Sequence, residues 1–562
     1  MSVRLARDPA TALAREYDLA IVGGGISGVS IAREAAGHGL RVLLLEQDDF
    51  GSGTSAATTK FLHGGIRYLE HGDVALVREC LRERRYLAQA APHLVRRVEL
   101  IMPAYAGRDP SMAKLALGCK AYDLLGWDRN RDLPPPLRLP ATLRLDADAV
   151  RRDAPYLDGR SLHGGWVTHD YQNLHPERLL LELLKTAVAH GAVALNHTRV
   201  LAPLLEDAGG RRAIAGLEVE DRLDGRRRRV RVRCVVDAAG PWTGELLRRQ
   251  GLPLPFSIRR VKGIHILVPR LGGDDLRGVY TRVPSGKHVV IAPWQGMHFI
   301  GPTDSTYDGP ADALHPVQAD LDDLLATLDA ALRQPLDPAR IRKITIGVRP
   351  LIDEPGRDSA AVSRRHRVYD SATLGVGGLY AAAGGKWSAS RALAADVLAA
   401  LRREPRLGHV AWRGYDSTRD AIADGYGWAC DPADGIATMA ATLQAAGLAA
   451  GTAQRLATVY GRAGHALAAL LHADPALVRT IGPDSPEIAA QVRHAVENEA
   501  ARRLEDVLDR RLLVGTLGTP EVDTVHAVAA QAGDLLGWDA ARTAQEIHDY
   551  HARRWLPPLP AA

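Results

Sequence analysis

The sequence predicts an α/β protein with a Rossmann-like dinucleotide-binding domain built from discontinuous segments, an inserted mixed-sheet domain and an all-α C-terminal domain. Three observations carry that reading. From Asp18 a short apolar strand (DLAIV), a glycine turn, an amphipathic helix (ISGVSIAREAAGHG) and a second apolar strand (RVLLLE) follow in order, which is a βαβ unit and implies a parallel sheet covered by helices. Further strand candidates are scattered far along the chain, near 217, 230, 264, 288 and 379. From about 415 onward, segments such as TAQRLATVYGRAGHALAALL and ENEAARRLEDVLDRRLL show helical spacing with no competing strand pattern.

These elements divide the chain into an N-terminal extension (1–16), a dinucleotide-binding domain (17–95, 151–250 and 345–402), an inserted substrate-binding or cap domain (96–150 and 251–344) and a helical domain (410–562). The length, 562 residues, is too great for one ordinary core at roughly 150 residues per domain. With 46% hydrophobic and 24% charged residues, disorder and collagen-like order are both excluded. The net charge of +5 favours anionic substrates or anionic membrane surfaces and is too diffuse to argue for nucleic acid. The densest basic run, RRRRVRVR at 226–233, follows an Asp224–Gly225 turn and alternates Arg with Val, as on the solvent face of a strand returning from a hairpin.

Cys80, Cys119, Cys234 and Cys430 are far apart and form no C-x-x-C pair, so neither zinc nor a disulfide framework is indicated and a reducing cytosol fits. The histidines show no metal-ligand spacing. The N-terminal stretch has no signal-peptide core, and no apolar run approaches the roughly 18 residues of a membrane span.

Gly23-x-Gly25-x-x-Gly28 lies between the first strand and first helix, and Glu46 ends the second strand 18 residues after Gly28. In such a fingerprint the first glycine makes the tight turn, the second admits a pyrophosphate and the third lets helix and strand pack. The helix N-terminus favours the negative charge, and the acidic residue holds ribose hydroxyls. NAD and FAD share this pattern. Two later segments favour FAD: a strand ending at Ala239–Gly240, and a strand, a Gly384–Gly385 turn and a long Ala-rich helix. Segments of that kind return the chain to a flavin near its pyrophosphate and ring.

The stretch TTKFLHGGIRYLEHGD, 58–73, sets Lys60, His63, Arg67 and Tyr68 around the Gly64–Gly65 pair, ahead of a helix expected near Asp73. Paired glycines allow close backbone approach, and these side chains suit an anionic ligand that exchanges a proton.

These motifs, with DAAGPWT, RRVKGIHILVPR, APWQGMHFIGPTD, IGVRPL, AGGKWSASR and the helical tail, resemble the FAD-dependent glycerol-3-phosphate dehydrogenases and related glycerophosphate oxidases. The resemblance covers nearly the whole chain. It implies that the loop carrying Thr54, Ser55, Lys60, Gly64 and Gly65 lies against the flavin, together with Ala239, Gly240, Gly384, Gly385 and Ser388. It further implies that Arg67, Tyr68, His265 and Arg364 border the substrate, and that His63, Arg349 and Lys386 are catalytic, His63 as the base. Asp304 is a further candidate there, and Trp294 is expected to pack or shape the pocket.

The implied reaction is oxidation of sn-glycerol 3-phosphate to dihydroxyacetone phosphate, with electrons passed to quinone. That would bring peripheral contact with the cytoplasmic membrane, through basic faces at Arg82–Arg85 or Arg502–Arg511. A homodimer is left open. The alternatives are an oxidase using oxygen, an amine or amino-acid oxidase, and a non-catalytic flavin-binding paralogue. Two departures from the family pattern, Lys386-Trp387-Ser388-Ala389-Ser390-Arg391 and Arg365 where the family carries Asp, leave a larger polyol phosphate open as substrate.

Overall fold

The structure, a computed structural model, describes residues 3–207, 210–249, 251–252, 254–354, 356, 362–483 and 485–560. The chain runs through β1 (Glu16–Val22), α1 (Ile26–Gly37), β2 (Val42–Leu45), α2 (Val74–Ala90), β3 (Val95–Tyr105), α3 (Met112–Leu125), β4 (Leu162–Asn173), α4 (Pro176–Ala189), β5 (Val193–Leu195), β6 (Thr198–Asp207), β7 (Arg212–Asp221) and β8 (Arg227–Asp237). It continues through β9 (Ile258–Pro269), β10 (Arg277–Arg282), β11 (His288–Trp294), β12 (Met297–Gly301), β13 (Lys343–Ile352), β14 (Arg367–Asp370), β15 (Leu379–Ala383) and α5 (Ser390–Leu401).

The first sheet has the order β14-β15-β8-β1-β2-β5, with β7 on β8 and β6 on β7. Strands β15, β8, β1, β2 and β5 are mutually parallel. Their apolar runs, such as the wholly buried VLLL of β2, follow from burial of a parallel sheet on both faces. The basic run behaves as its alternation predicts: in β8, Val230 and Val232 are buried while Arg229, Arg231 and Arg233 are exposed, and the strand returns antiparallel on β7.

The second sheet has the order β9-β12-β11-β10-β3-β4, with β13 on β9. It takes β4 from the segment 151–250 and β13 from the start of 345–402, so the sequence-based division is corrected at both places. Neither strand could be assigned by pattern, because β4 is buried along nearly its whole length and carries no alternation that names its sheet.

Beyond Gly408 the described residues form helices and no strand. The tail ENEAARRLEDVLDRRLL is not one helix. Helix Ala489–Asn498 ends there, and a separate π-helical turn, Asp506–Arg511, follows.

A buried ionic network docks this helical domain on α4. Arg178 pairs with both oxygens of Glu499 and stacks on Tyr460 at 4.3 Å. Lys185 Nζ lies 3.1 Å from Glu182, 3.2 Å from Asp424 and 3.0 Å from Glu499. Burial raises the cost of the Glu499 charge, but Arg178 and Lys185 outweigh it and hold the carboxyl well below its ordinary range. Removing one partner from such a set strands a buried charge, so Arg178→Met is expected to lower the unfolding free energy by about 3–5 kcal/mol in a denaturant titration. A change under about 1 kcal/mol would contradict that role.

The basic faces at Arg82–Arg85 and Arg502–Arg511 are only partly on the surface: Arg82 is exposed and Arg502 and Arg503 are half-buried. Arg84, Arg85, Arg510 and Arg511 are all buried and paired with Asp170, Asp128 and Asp49.

Candidate active site

One cavity of about 970 Å³ runs between the two sheets and the helical domain, at the upper end of the roughly 300–1,000 Å³ expected for cofactor and ligand pockets. At its sheet end lie Gly23, Gly25 and Glu46. Gly23 has φ +107°, a conformation that favours glycine, and a Cβ there would lie 2.8 Å from Ala238 O. Helix α1 starts at this turn with no side-chain cap of its own; Ser55 Oγ accepts from Ile26 N at 2.9 Å instead. The Glu46 carboxylate accepts from Gly24 N at 2.6 Å and Asp48 N at 2.8 Å, and burial pushes its pKa up to about 7.

At the other end the cavity is lined by His63, Arg67, Tyr68, Arg349, Arg364 and Lys386. His63 follows the short strand Phe61–Leu62, which pairs with Gln172 and Tyr171 of β4. The next residue is also fixed: Gly64 N donates to Tyr122 Oη at 2.9 Å and to Asp170 Oδ1 at 3.1 Å, and Asp170 is ion-paired with buried Arg84. His63 is thus held on both sides through the backbone. Gly65 has φ +73°, and a Cβ there would meet the Tyr68 ring at 2.5 Å and Lys386 Nζ at 3.1 Å. Only glycine fits this turn.

The electrostatics of this end are one-sided. Burial, then Lys386, Arg67 and Arg84, pull the His63 pKa well below its ordinary value, so its imidazole is neutral and able to accept a proton. Burial likewise lowers the pKa values of Arg349 and Arg364. Arg349 Nη2 donates to Thr303 O at 2.8 Å and lies 3.5 Å from Asp304. Lys386 Nζ is buried and sits 4.4 Å over the Tyr68 ring, with no partner at normal hydrogen-bond geometry among the described residues, and Cys80 and Tyr68 favour its charge against burial. His265 stacks on Phe299 at 4.7 Å, with its pKa lowered by burial to about 3. Arg364, buried, and Arg67, Arg349 and Lys386, half-buried, gather cations near Asp304 at a cost that an anion bound there would offset.

Residues 18–401 match the family described as FAD dependent oxidoreductase. The chain belongs to that family. Residues 421–543 match the C-terminal domain of alpha-glycerophosphate oxidase. The chain is 31% identical over 565 residues to a glycerol-3-phosphate dehydrogenase of Synechocystis, covering 95% of this chain and 96% of that protein. It is 32% identical to a D-erythritol 1-phosphate dehydrogenase of Brucella abortus, covering 88% and 93%. In fold it is similar to a glycerol-3-phosphate dehydrogenase from Bacillus halodurans complexed with FAD, with a TM-score of 0.76, 24% identity and 97% and 95% coverage.

The residues present fit FAD. The helix N-terminus at Gly25–Ile26 suits the pyrophosphate and Glu46 the ribose. Thr54, Ser55, Ala239 and Gly240 line the cavity beside that turn, with Thr54 Oγ1 donating to Val348 O at 2.6 Å. Gly384, Gly385 and Ser388 line it near Lys386, where the chain leaves β15.

Two assignments are corrected, and Gly28 keeps the packing role its place in the fingerprint gives it. Lys60 does not line the cavity; its Nζ is 2.9 Å from Glu177 and 3.2 Å from Ala56 O, a buried pair 117 residues apart in sequence. Gly64 faces Leu81 and Tyr122, where a Cβ would meet atoms at 2.4 Å, so its close approach is to protein. Gly28 packs α1 on the turn, its Cβ position 1.9 Å from Gly23 O, and makes no wall of the cavity.

The two departures from the family pattern also resolve differently. Arg365 turns outward, with Nε 3.1 Å from Asp73, and adds no charge to the site. Ser390 Oγ is 2.9 Å from Ser30 Oγ of α1, away from the cavity, whereas Trp387 lines it. Trp294 is buried and donates to Leu174 O at 3.2 Å, a packing role. Asp170, Tyr122 and Arg84 were not found from sequence, since no local pattern marks them.

Proposed function

We propose that the protein oxidises sn-glycerol 3-phosphate to dihydroxyacetone phosphate. The observation that carries this reading is the cationic end of the FAD cavity, which Arg67, Arg349, Arg364 and Lys386 line together with a neutral histidine. A phosphate monoester needs several directed donors, and guanidinium supplies them in a planar fork. FAD, when bound, accepts the hydride from the carbinol carbon. Arg349 and Arg364 hold the phosphate, Lys386 polarises the reacting oxygen, and His63 takes the hydroxyl proton on a ring nitrogen. Positioning and electrostatics supply most of the effect. The relatives named glycerol-3-phosphate dehydrogenase support the substrate.

A second reading, a larger polyol phosphate, rests on Trp387 in the cavity wall and on the Brucella relative's name. The ratio of kcat/KM for sn-glycerol 3-phosphate and D-erythritol 1-phosphate decides between them, with a value above one expected for the first.

We infer a membrane quinone as acceptor, reached from the cytoplasmic face. No helix is long and apolar enough to cross a membrane among the described residues. Support comes from α3, whose inner face gives Tyr122 to the Gly64 amide. Its Leu117 and Leu124, seven residues apart and so on one face, are each 74% exposed, and Trp127 just beyond is 70% exposed. Exposed Lys114 and Lys120 flank them, the composition of a helix lying in an anionic interface. Vesicles containing anionic lipid should sediment the protein, and Leu117→Glu with Leu124→Glu should weaken that binding at least about ten-fold. No sedimentation of the native protein at physiological salt would remove the membrane from this account.

A further inference from the structure

The wall of the FAD cavity beside Glu46 is not built by the dinucleotide-binding domain alone. Arg503, Glu505, Asp506, Arg510 and Arg553, all from the helical domain, line it there. They are held against the FAD-binding sheet by two buried clasps. In the first, Asp506 Oδ2 lies 2.8 Å from His197 Nε2, in the turn between β5 and β6, and accepts from the backbone of Arg502 and Arg503 at 2.9 Å each. In the second, Asp49 accepts from Arg510 Nε at 2.6 Å and from Arg511 Nη2 at 2.9 Å.

Asp49, His197 and Asp506 lie close enough together to ligate a cation, but the guanidinium groups of Arg510 and Arg511 already answer the two carboxylates. The cluster is therefore a dock between domains. Its position matters: Asp49 lies three residues beyond Glu46 on the same connection, and His197 N donates to Asp48 O at 2.6 Å while Thr198 N donates to Glu46 O at 2.7 Å. The segment 46–49 faces the cofactor at one end and the helical domain at the other.

We propose that the helical C-terminal domain closes the adenosine end of the FAD chamber, and that its docking through Asp49–Arg510/Arg511 and His197–Asp506 is coupled to FAD binding. This rests on Glu46 marking the ribose end. Because coupling is reciprocal, bound FAD tightens the docking as much as docking tightens FAD, by a factor in the usual range of about 5–150.

The test compares hydrogen exchange in native holoenzyme and in apoprotein prepared from it, once the holoenzyme spectrum has confirmed bound flavin. FAD should slow exchange of the amides in 499–511, and Asp506→Asn should release FAD at least about five-fold faster, followed by flavin fluorescence on dilution. Equal exchange in 499–511 with and without FAD overturns the proposal. So does an Asp506→Asn protein that melts at lower temperature yet releases FAD at the native rate. A protein that binds no flavin at all would instead overturn the cofactor assignment.

Discussion

Replacing His63 with Ala lowers the limiting rate of flavin reduction by about 10²–10⁴, the usual contribution of a positioned base, while FAD remains bound. The expectation follows from three features of the site. The imidazole lines the cavity, its chain is pinned on one side by strand pairing and on the other by the Gly64 amide, and burial with neighbouring cations keeps it unprotonated. The sign gives a second test. A lowered pKa preserves the neutral base as pH falls through the ordinary histidine value of about 6.5. After correction for ionisation of the phosphate monoester, kcat/KM should therefore hold a plateau through that pH and decline only below it. An enzyme-derived acid limb at or above 6.5 would assign the proton transfer elsewhere.

Arg349→Ala raises KM about ten- to a hundred-fold, the equivalent of a lost hydrogen bond to a charged group at 1.5–3 kcal/mol. Arg349 is a half-buried cation whose charge is opposed by desolvation and only partly answered by Asp304, so an anionic ligand offsets a cost already present in the folded protein. Arg349→Lys should recover only part of the loss, because an ammonium cannot present the planar fork. An unaltered KM in steady-state assays would take Arg349 out of the phosphate site.

Much of this was legible in the sequence where the chemistry is local. The glycine turn, the acidic residue 18 positions past Gly28 and the strand–turn–helix around Gly384 each occupy one short window, and their physical requirements can be read there. What could not be read depends on partners distant in the chain. Lys60 reads as a cofactor residue in its local window, but Glu177, far along the chain, holds its ammonium. Gly64 looked like a close approach to flavin, but the close neighbours are Leu81 and Tyr122. The anchors of His63, Asp170 and Tyr122, sit in an unmarked strand and on an unmarked helix.

The basic runs show the same limit. Arginine clusters on a helical pattern read as solvated faces or lipid contacts, yet Arg84 is buried against Asp170, and Arg510 and Arg511 reach Asp49, more than 460 positions away. Their burial decides that they join domains. Conversely, no local pattern marks Leu117, Leu124 and Trp127 as a surface group, and only the packed structure shows them largely exposed, with Arg78 5.6 Å from the Trp127 ring.

The most direct test of the central claim is anaerobic. The purified holoenzyme, mixed with sn-glycerol 3-phosphate in the absence of any acceptor, should lose its oxidised-flavin absorbance rapidly and in proportion to enzyme. An unchanged spectrum at saturating substrate would contradict the account.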